Sequence, residues 1–141
     1  MKYYAIIVAG GSGQRMKTDL PKQFIELNGR PILMHTLEKF NQADSFIELV
    51  VVLPKLHHQT WGSLCKKHFF KTPHTICEGG TTRFQSVKKG LSFCNEQAII
   101  AVHDGVRPLL SSAFILKIFF DAKSDEIINI YSEAFPNEKA R

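Results

Sequence analysis

Four short, largely apolar runs constrain this chain more than any other feature: Tyr3 to Ala9, Ile47 to Leu53, His74 to Cys77 and Ala98 to His103. Each is too short and too continuous to be an amphipathic helix, and reads as a strand buried on both faces. Amphipathic stretches separate them, which specifies repeated strand-helix units and a mainly parallel sheet. The expected class is α/β, a Rossmann-like sheet flanked by helices. Pro31 suits a first helical turn, and Leu33, Leu37 and Phe40 recur at helical spacing as one buried face. Phe84, Val87 and Leu91 are expected to form a second such face, with Thr81 or Thr82 as N-cap. Ser111 or Ser112 is expected to cap a helix buried through Ile115, Ile118 and Phe119. His57 and His58, beside Trp61, read as part of an outer helix without chemistry.

Ligands of such sheets bind beyond the carboxyl ends of the strands, and three polar clusters fall there. The first runs from Val8 to Lys22, where Gly10, Gly11 and Gly13 follow the first strand. Glycines leave no Cβ in the way, so successive N–H groups can turn inward and cradle phosphate oxygens. Arg15 and Lys22 then supply positive charge for a nucleoside triphosphate and for the transition state of its reaction. A Walker A loop is excluded, because Gly13 is followed by Gln14 and Arg15 rather than by Lys-Ser/Thr. A dinucleotide fingerprint is weak, because Met16 stands where a third small residue is needed. A loop that merely turns the chain leaves the Arg and the Pro21-Lys22 pair unexplained.

The second cluster, Gly79 to Ser86, begins with glycines at a strand end and leads into a helix. Its free N–H groups suit a base edge or an anion, and Ser86 is expected to face the same mouth; an ordinary capped helix start is the competing reading. The third cluster is Val102-His103-Asp104-Gly105-Val106-Arg107-Pro108. A carboxylate at a strand's end, opposite a phosphate loop, is placed to hold magnesium, so Asp104 is the metal candidate. An Asx turn with Gly105, or pairing with Arg107, is its bland alternative. His103 alternates to the other face and reads as a core or supporting histidine.

Composition narrows the partners. With 44% hydrophobic and 22% charged residues among 141, the chain is sized for one domain with one core. The net charge of +5 is spread singly or in pairs rather than in a stripe, which favours a phosphate-rich small molecule over nucleic acid. No run approaches the roughly 18 apolar residues of a membrane span, and no cleavable leader is evident, so no membrane partner and a cytoplasmic location are expected. Cys65, Cys77 and Cys94 have no metal-ligand spacing and read as buried thiols in a reducing compartment.

Four segments, Val-Ala-Gly-Gly-Ser-Gly-Gln-Arg-Met, Leu-Pro-Lys-Gln-Phe, Gly-Gly-Thr-Thr-Arg-Phe-Gln-Ser-Val and Val-His-Asp-Gly-Val-Arg-Pro, stand in this order. Together they resemble the 2-C-methyl-D-erythritol 4-phosphate cytidylyltransferases of non-mevalonate isoprenoid synthesis, over about residues 3 to 120. The resemblance implies a fold of the nucleotide-diphospho-sugar transferase type. It implies attack of a sugar-alcohol phosphate on the α-phosphorus of CTP, with magnesium present, giving a CDP-alditol and pyrophosphate. By the same match, Arg15 and Lys22 are the catalytic cations and Gly10, Gly11 and Gly13 line the triphosphate loop. The Ala9 backbone, Gly80 and Ser86 fall where cytosine is recognised, Asp104 holds the metal, and Arg107 supports its loop. Thr81, also assigned to nucleotide binding, occupies a position often acidic in relatives.

The family continues through further strands, a dimer-building arm and a later aspartate and lysine, all beyond this chain. The expectation is therefore a C-terminally truncated nucleotide-binding domain over 1–122, with a divergent or frayed tail over 123–141 that includes a possible strand at Ile127 to Tyr131. The family homodimer is expected to lack its arm here. Two competing readings accompany this one: a ribitol 5-phosphate cytidylyltransferase, and a non-catalytic nucleotide-binding remnant.

Overall fold

A computed structural model describes residues 2–10 and 20–122. Strand β1 (Lys2–Val8) is followed, after a 3-10 turn at Lys22–Phe24, by a two-stranded hairpin, β2 (Glu26–Leu27) and β3 (Arg30–Pro31). Then come helix α1 (Ile32–Ala43), β4 (Glu48–Leu53), a 3-10 turn at Lys55–His57 and α2 (His58–Lys67). The order continues with β5 (Thr75–Glu78), α3 (Arg83–Leu91), β6 (Ala98–Asp104) and α4 (Ser112–Ala122). The main sheet is parallel, in the order β5-β4-β1-β6. All four runs read as strands in the sequence are strands here, with ends shifted by one residue or so.

Alternating side chains of the strands feed two cores, as a sheet covered on both faces requires. On one face Ala5, Ile7, Val51, Leu53 and Ala101 pack against Leu33 and Leu37 of α1, Trp61 of α2, and Ile115 and Phe119 of α4. On the other, Ile6, Val8, Val50, Val52, Cys77 and Val102 pack against α3 through Val87. Helix α3 sits close to the sheet because Gly90 has no side chain: a Cβ there would lie 2.8 Å from Ile6 Cγ2 and 3.1 Å from Val52 Cγ2.

That close seat corrects one expectation. Phe84 is 75% exposed and Leu91 38% exposed, so the buried face of α3 runs instead through Ser86 and Gly90, with Val87 partly covered. A phenylalanine stripe would hold the helix farther from the sheet than the glycine contact allows. Thr82 is the α3 cap, its hydroxyl accepting from the Gln85 N–H at 3.0 Å, and Ser111 caps α4 by accepting from the Phe114 N–H at 3.0 Å. Pro31 stands one residue outside α1, in β3, and its fixed φ of −51° leads into the helix. His57 lies in the turn before α2 and is buried, not on an outer helical face.

The hairpin was not anticipated. Asn28 (φ 53°) and Gly29 (φ 84°) both take the left-handed conformation, which a tight two-residue hairpin turn requires and this residue pair supplies. Arg30 clamps the hairpin to α1 with a two-pronged ion pair to Glu38, at 2.7 and 2.5 Å. That pair holds the Glu38 carboxyl below its usual range and raises Arg30.

Candidate active site at the carboxyl edge of the sheet

Because all four strands run parallel, their carboxyl ends share one edge. Backbone hydrogen bonds continue across it past the strands themselves: Ala9 N–H to Val52 O at 2.9 Å, Gly79 N–H to Leu53 O at 3.1 Å and Gly105 N–H to Val8 O at 2.8 Å. The starts of the loops after β1, β5 and β6 are thereby stitched to neighbouring strands. Of the first cluster, Ala9 is buried and Gly10 exposed at the end of β1. Gly11, Gly13 and Arg15 lie outside the described residues.

The turn that carries Lys22 is tied to the same edge. In that turn, Pro21, Gln23 and Phe24 are buried while Lys22 is exposed. Gln23 Nε2 donates to Ala9 O at 2.9 Å, and the Phe24 ring stacks on Trp61 with centroids 5.8 Å apart and planes 11° from parallel. His57 packs edge-on to Phe24 at 5.9 Å. Burial, with a smaller contribution from the His58 charge, pushes the His57 imidazole below its ordinary pKa.

In the second cluster the helix start is built around Ser86 and Gln85. The buried Ser86 hydroxyl accepts from Gly80 N–H at 3.0 Å, and the side-chain Oε1 of Gln85 accepts from Thr81 N–H at 3.0 Å and from the Thr81 hydroxyl. With Thr82 capping Gln85 N–H, this is a capping box in which the glutamine reaches back one residue beyond the cap. Gly80 folds so tightly over the helix that a Cβ would lie 2.5 Å from Gln85 Cβ. Ser86 is thereby engaged with its own loop through its oxygen, and its hydroxyl proton can still donate. Thr81 is exposed and held by Gln85.

The third cluster is braced from several sides. Asp104 pairs with Val8 across β6 and β1. Its Oδ1 accepts from Val106 N–H at 3.0 Å, and Arg107 Nε lies 3.7 Å from Oδ2. Both bland alternatives, the Asx-type turn and the arginine pairing, are thus realised. The buried Thr36 hydroxyl of α1 donates to Gly105 O at 2.8 Å. His103 is buried beside Phe40 with Nε2 2.9 Å from Arg107 O; a carbonyl only accepts, so this nitrogen carries the proton. Burial is the main cause that holds the His103 imidazole below its ordinary value; the Arg107 carbonyl bond and Asp104 oppose it, and the Arg107 and Arg83 charges add to it. Arg83, at the start of α3, therefore lies within the electrostatic field of the end of β6.

Magnesium takes oxygen ligands and usually one or two protein carboxylates, leaving the rest of its shell to water and phosphate. Among the described residues no group of three His, Cys, Asp or Glu side chains could enclose an ion. Asp104, the carboxylate at the end of β6, fits an ion whose shell a phosphate-bearing ligand completes. The thiols take no part in such chemistry: burial pushes Cys65 and Cys94 up to about 11 and raises Cys77, so all three stay protonated near neutrality. A cavity of about 440 Å³ lies at the opposite end of the sheet, lined by Tyr3, Ile47, Leu116 and Phe120. No helix among the described residues is long and apolar enough to cross a membrane.

Sequence reasoning gave no role to Gln23, Thr36 or Trp61. Gln23 lay within a quoted motif, but its long-range bond to Ala9 O leaves no trace in spacing.

The family model described as IspD: 2-C-methyl-D-erythritol 4-phosphate cytidylyltransferase matches residues 3–131. The 2-C-methyl-D-erythritol 4-phosphate cytidylyltransferase of Porphyromonas gingivalis is 51% identical over 114 residues, covering 81% of this chain and 50% of that protein. The protein of the same name from Azobacteroides pseudotrichonymphae is 50% identical over 116 residues, covering 82% of this chain and 52% of that protein. The solved structure of 4-diphosphocytidyl-2C-methyl-D-erythritol synthase from Anaerococcus prevotii superposes with a TM-score of 0.68 at 31% identity, over 88% of this chain and 52% of that one. The chain spans about half the length of the curated relatives it matches.

Proposed function

This chain belongs to the 2-C-methyl-D-erythritol 4-phosphate cytidylyltransferase family, and on that premise we propose that its sheet edge binds CTP and serves transfer of CMP to 2-C-methyl-D-erythritol 4-phosphate, with release of pyrophosphate. The observation that carries this reading is the hydrogen bond from Gln23 to Ala9 O, which ties the Lys22 turn to the end of β1, beside the strand that ends in Asp104. The turn bearing Lys22, the end of β1 and the strand ending in Asp104 are thereby neighbours, which supports one shared site.

Each residue's role follows from its chemistry. The amides after Ala9, in the loop of Gly10, Gly11 and Gly13, cradle the triphosphate. Lys22, and Arg15 with it, offset charge that builds on the phosphoryl oxygens as the acceptor's phosphate oxygen attacks the α-phosphorus in line and pyrophosphate leaves. Their effect is larger in a closed site, where water screens less. Gly80 and Ser86 recognise the base: Gly80 lets the loop fold tightly onto the start of α3, and the Ser86 hydroxyl, already accepting from Gly80 N–H, has a proton to give to an acceptor on cytosine. Thr81 lines the same rim. Asp104 would hold magnesium, which when bound draws charge from the phosphate oxygens and fixes their geometry.

The test is pyrophosphate release from CTP with 2-C-methyl-D-erythritol 4-phosphate, and with ribitol 5-phosphate in parallel, alongside calorimetric titration of CTP in magnesium. Binding with turnover on the methylerythritol phosphate is expected. Preference for ribitol phosphate replaces the acceptor, binding without turnover makes the chain a nucleotide-binding remnant, and no binding removes the site.

A further inference from the structure

We propose that Gln23 is a positioning residue for Lys22, a latch that sets the lysine and the end of β1 in one rigid frame; the inference rests on the CTP-binding reading above. Gln23 is 1% exposed, and burying a primary amide is costly unless its groups are satisfied. Its Nε2 donates to Ala9 O across a sequence separation of 14. The Ala9 residue is thereby held from both sides, since its N–H already donates to Val52 O on β4. What leaves β1 toward the glycine loop starts from a fixed point, and the turn bearing Lys22 is fixed to that same point.

The rest of the turn leaves Lys22 little freedom. Phe24 N–H donates to Pro21 O at 2.9 Å, Ile25 N–H to Lys22 O at 3.2 Å, and Ile32 N–H to Ile25 O at 2.9 Å. Phe24, 1% exposed, is clamped between Trp61 and His57. These contacts hold the side of the turn that faces the core; the Gln23 amide ties it to the end of β1, where the proposed site reads the phosphates. A backbone displaced by about 1 Å there misplaces a charge whose worth depends on distance, with losses on the order of a hundredfold known for misplaced catalytic groups. The latch therefore acts through Lys22, not by touching ligand.

The experiment is a double-mutant cycle on CTP affinity in magnesium, with Gln23→Met, Lys22→Ala and the double variant, joined to amide hydrogen exchange of the ligand-free chain. Gln23→Met keeps length and bulk but donates no hydrogen bond; if it does not fold, Gln23→Asn, too short to reach Ala9 O, carries the same comparison. The expected result is faster exchange confined to the Lys22 turn and the end of β1, with an affinity loss of about tenfold when Lys22 is present and less than about twofold when it is alanine. Equal losses in both backgrounds, or unchanged exchange, overturn the proposal. Failure of the wild-type chain to bind CTP overturns the functional reading and the role of the latch in it, while the exchange data still report whether the latch fixes the turn.

Discussion

Val8 and Asp104 face each other across β1 and β6, and Gly105, one residue on, closes the pair by donating to Val8 O at 2.8 Å. The backbone that carries the carboxylate is therefore fixed to the strand that leads to Gly10. Asp104→Asn keeps an oxygen for Val106 N–H but loses the charge. It is expected to leave thermal stability nearly unchanged and to weaken CTP binding in magnesium by about tenfold, roughly 1.4 kcal/mol. Calorimetry beside a thermal melt checks it; unchanged affinity removes Asp104 from the metal's shell.

Gly90→Ala tests the seat of α3. Alanine favours a helix by about 1 kcal/mol over glycine. The added Cβ would nevertheless meet Ile6 and Val52 at 2.8 and 3.1 Å, both on strands that cannot recede. Overpacking of this kind costs about 1–3 kcal/mol, so net destabilisation by urea denaturation is expected, and a stabilised variant contradicts the packing described.

Thr82→Ala removes the hydroxyl that accepts from Gln85 N–H. A loss of about 1 kcal/mol is expected, while Thr82→Ser or Thr82→Asp retains stability because either supplies an accepting oxygen. Equal losses in all three variants assign the effect to something other than the cap.

Two buried imidazoles set an acid limit. His57 and His103 are both held below the ordinary histidine value of 6.5. The native state thus binds fewer protons than the unfolded chain as pH falls through that value. Their contribution is full above pH 6.5 and is lost progressively below it, toward the depressed native values. The Glu38–Arg30 pair acts at lower pH, its contribution being lost below the ordinary carboxyl value of 4.5. Urea denaturation across these ranges should show the first decline, and His103→Asn, whose amide can still donate to Arg107 O, should reduce it. A flat profile between about pH 7.5 and 5 contradicts this.

The frame was legible in the sequence because runs such as Leu49 to Leu53 are short, apolar and rich in β-branched valine, which favours a strand covered on both faces. The caps were legible too, since Thr82 and Ser111 act within three residues of themselves. What escaped depends on distance in three dimensions. Phe84 has the spacing of a core residue, but the glycine contact of α3 two turns later decides which side faces the sheet. Gln23 and Thr36 bond across 14 and 69 positions, and no local pattern marks them. The hairpin was a missed local signal, since Asn28-Gly29 is the residue pair a tight turn asks for.

The central claim is that CTP sits at the carboxyl edge of the sheet. Amide chemical shifts followed during titration of the isotope-labelled chain with CTP and magnesium test it residue by residue. The expected result is saturable change concentrated at Gly10, Lys22, Gly80, Ser86 and Asp104, with Tyr3, Leu116 and Phe120 around the far cavity unmoved. Change centred on that far cavity, or none at any of the five, contradicts the account.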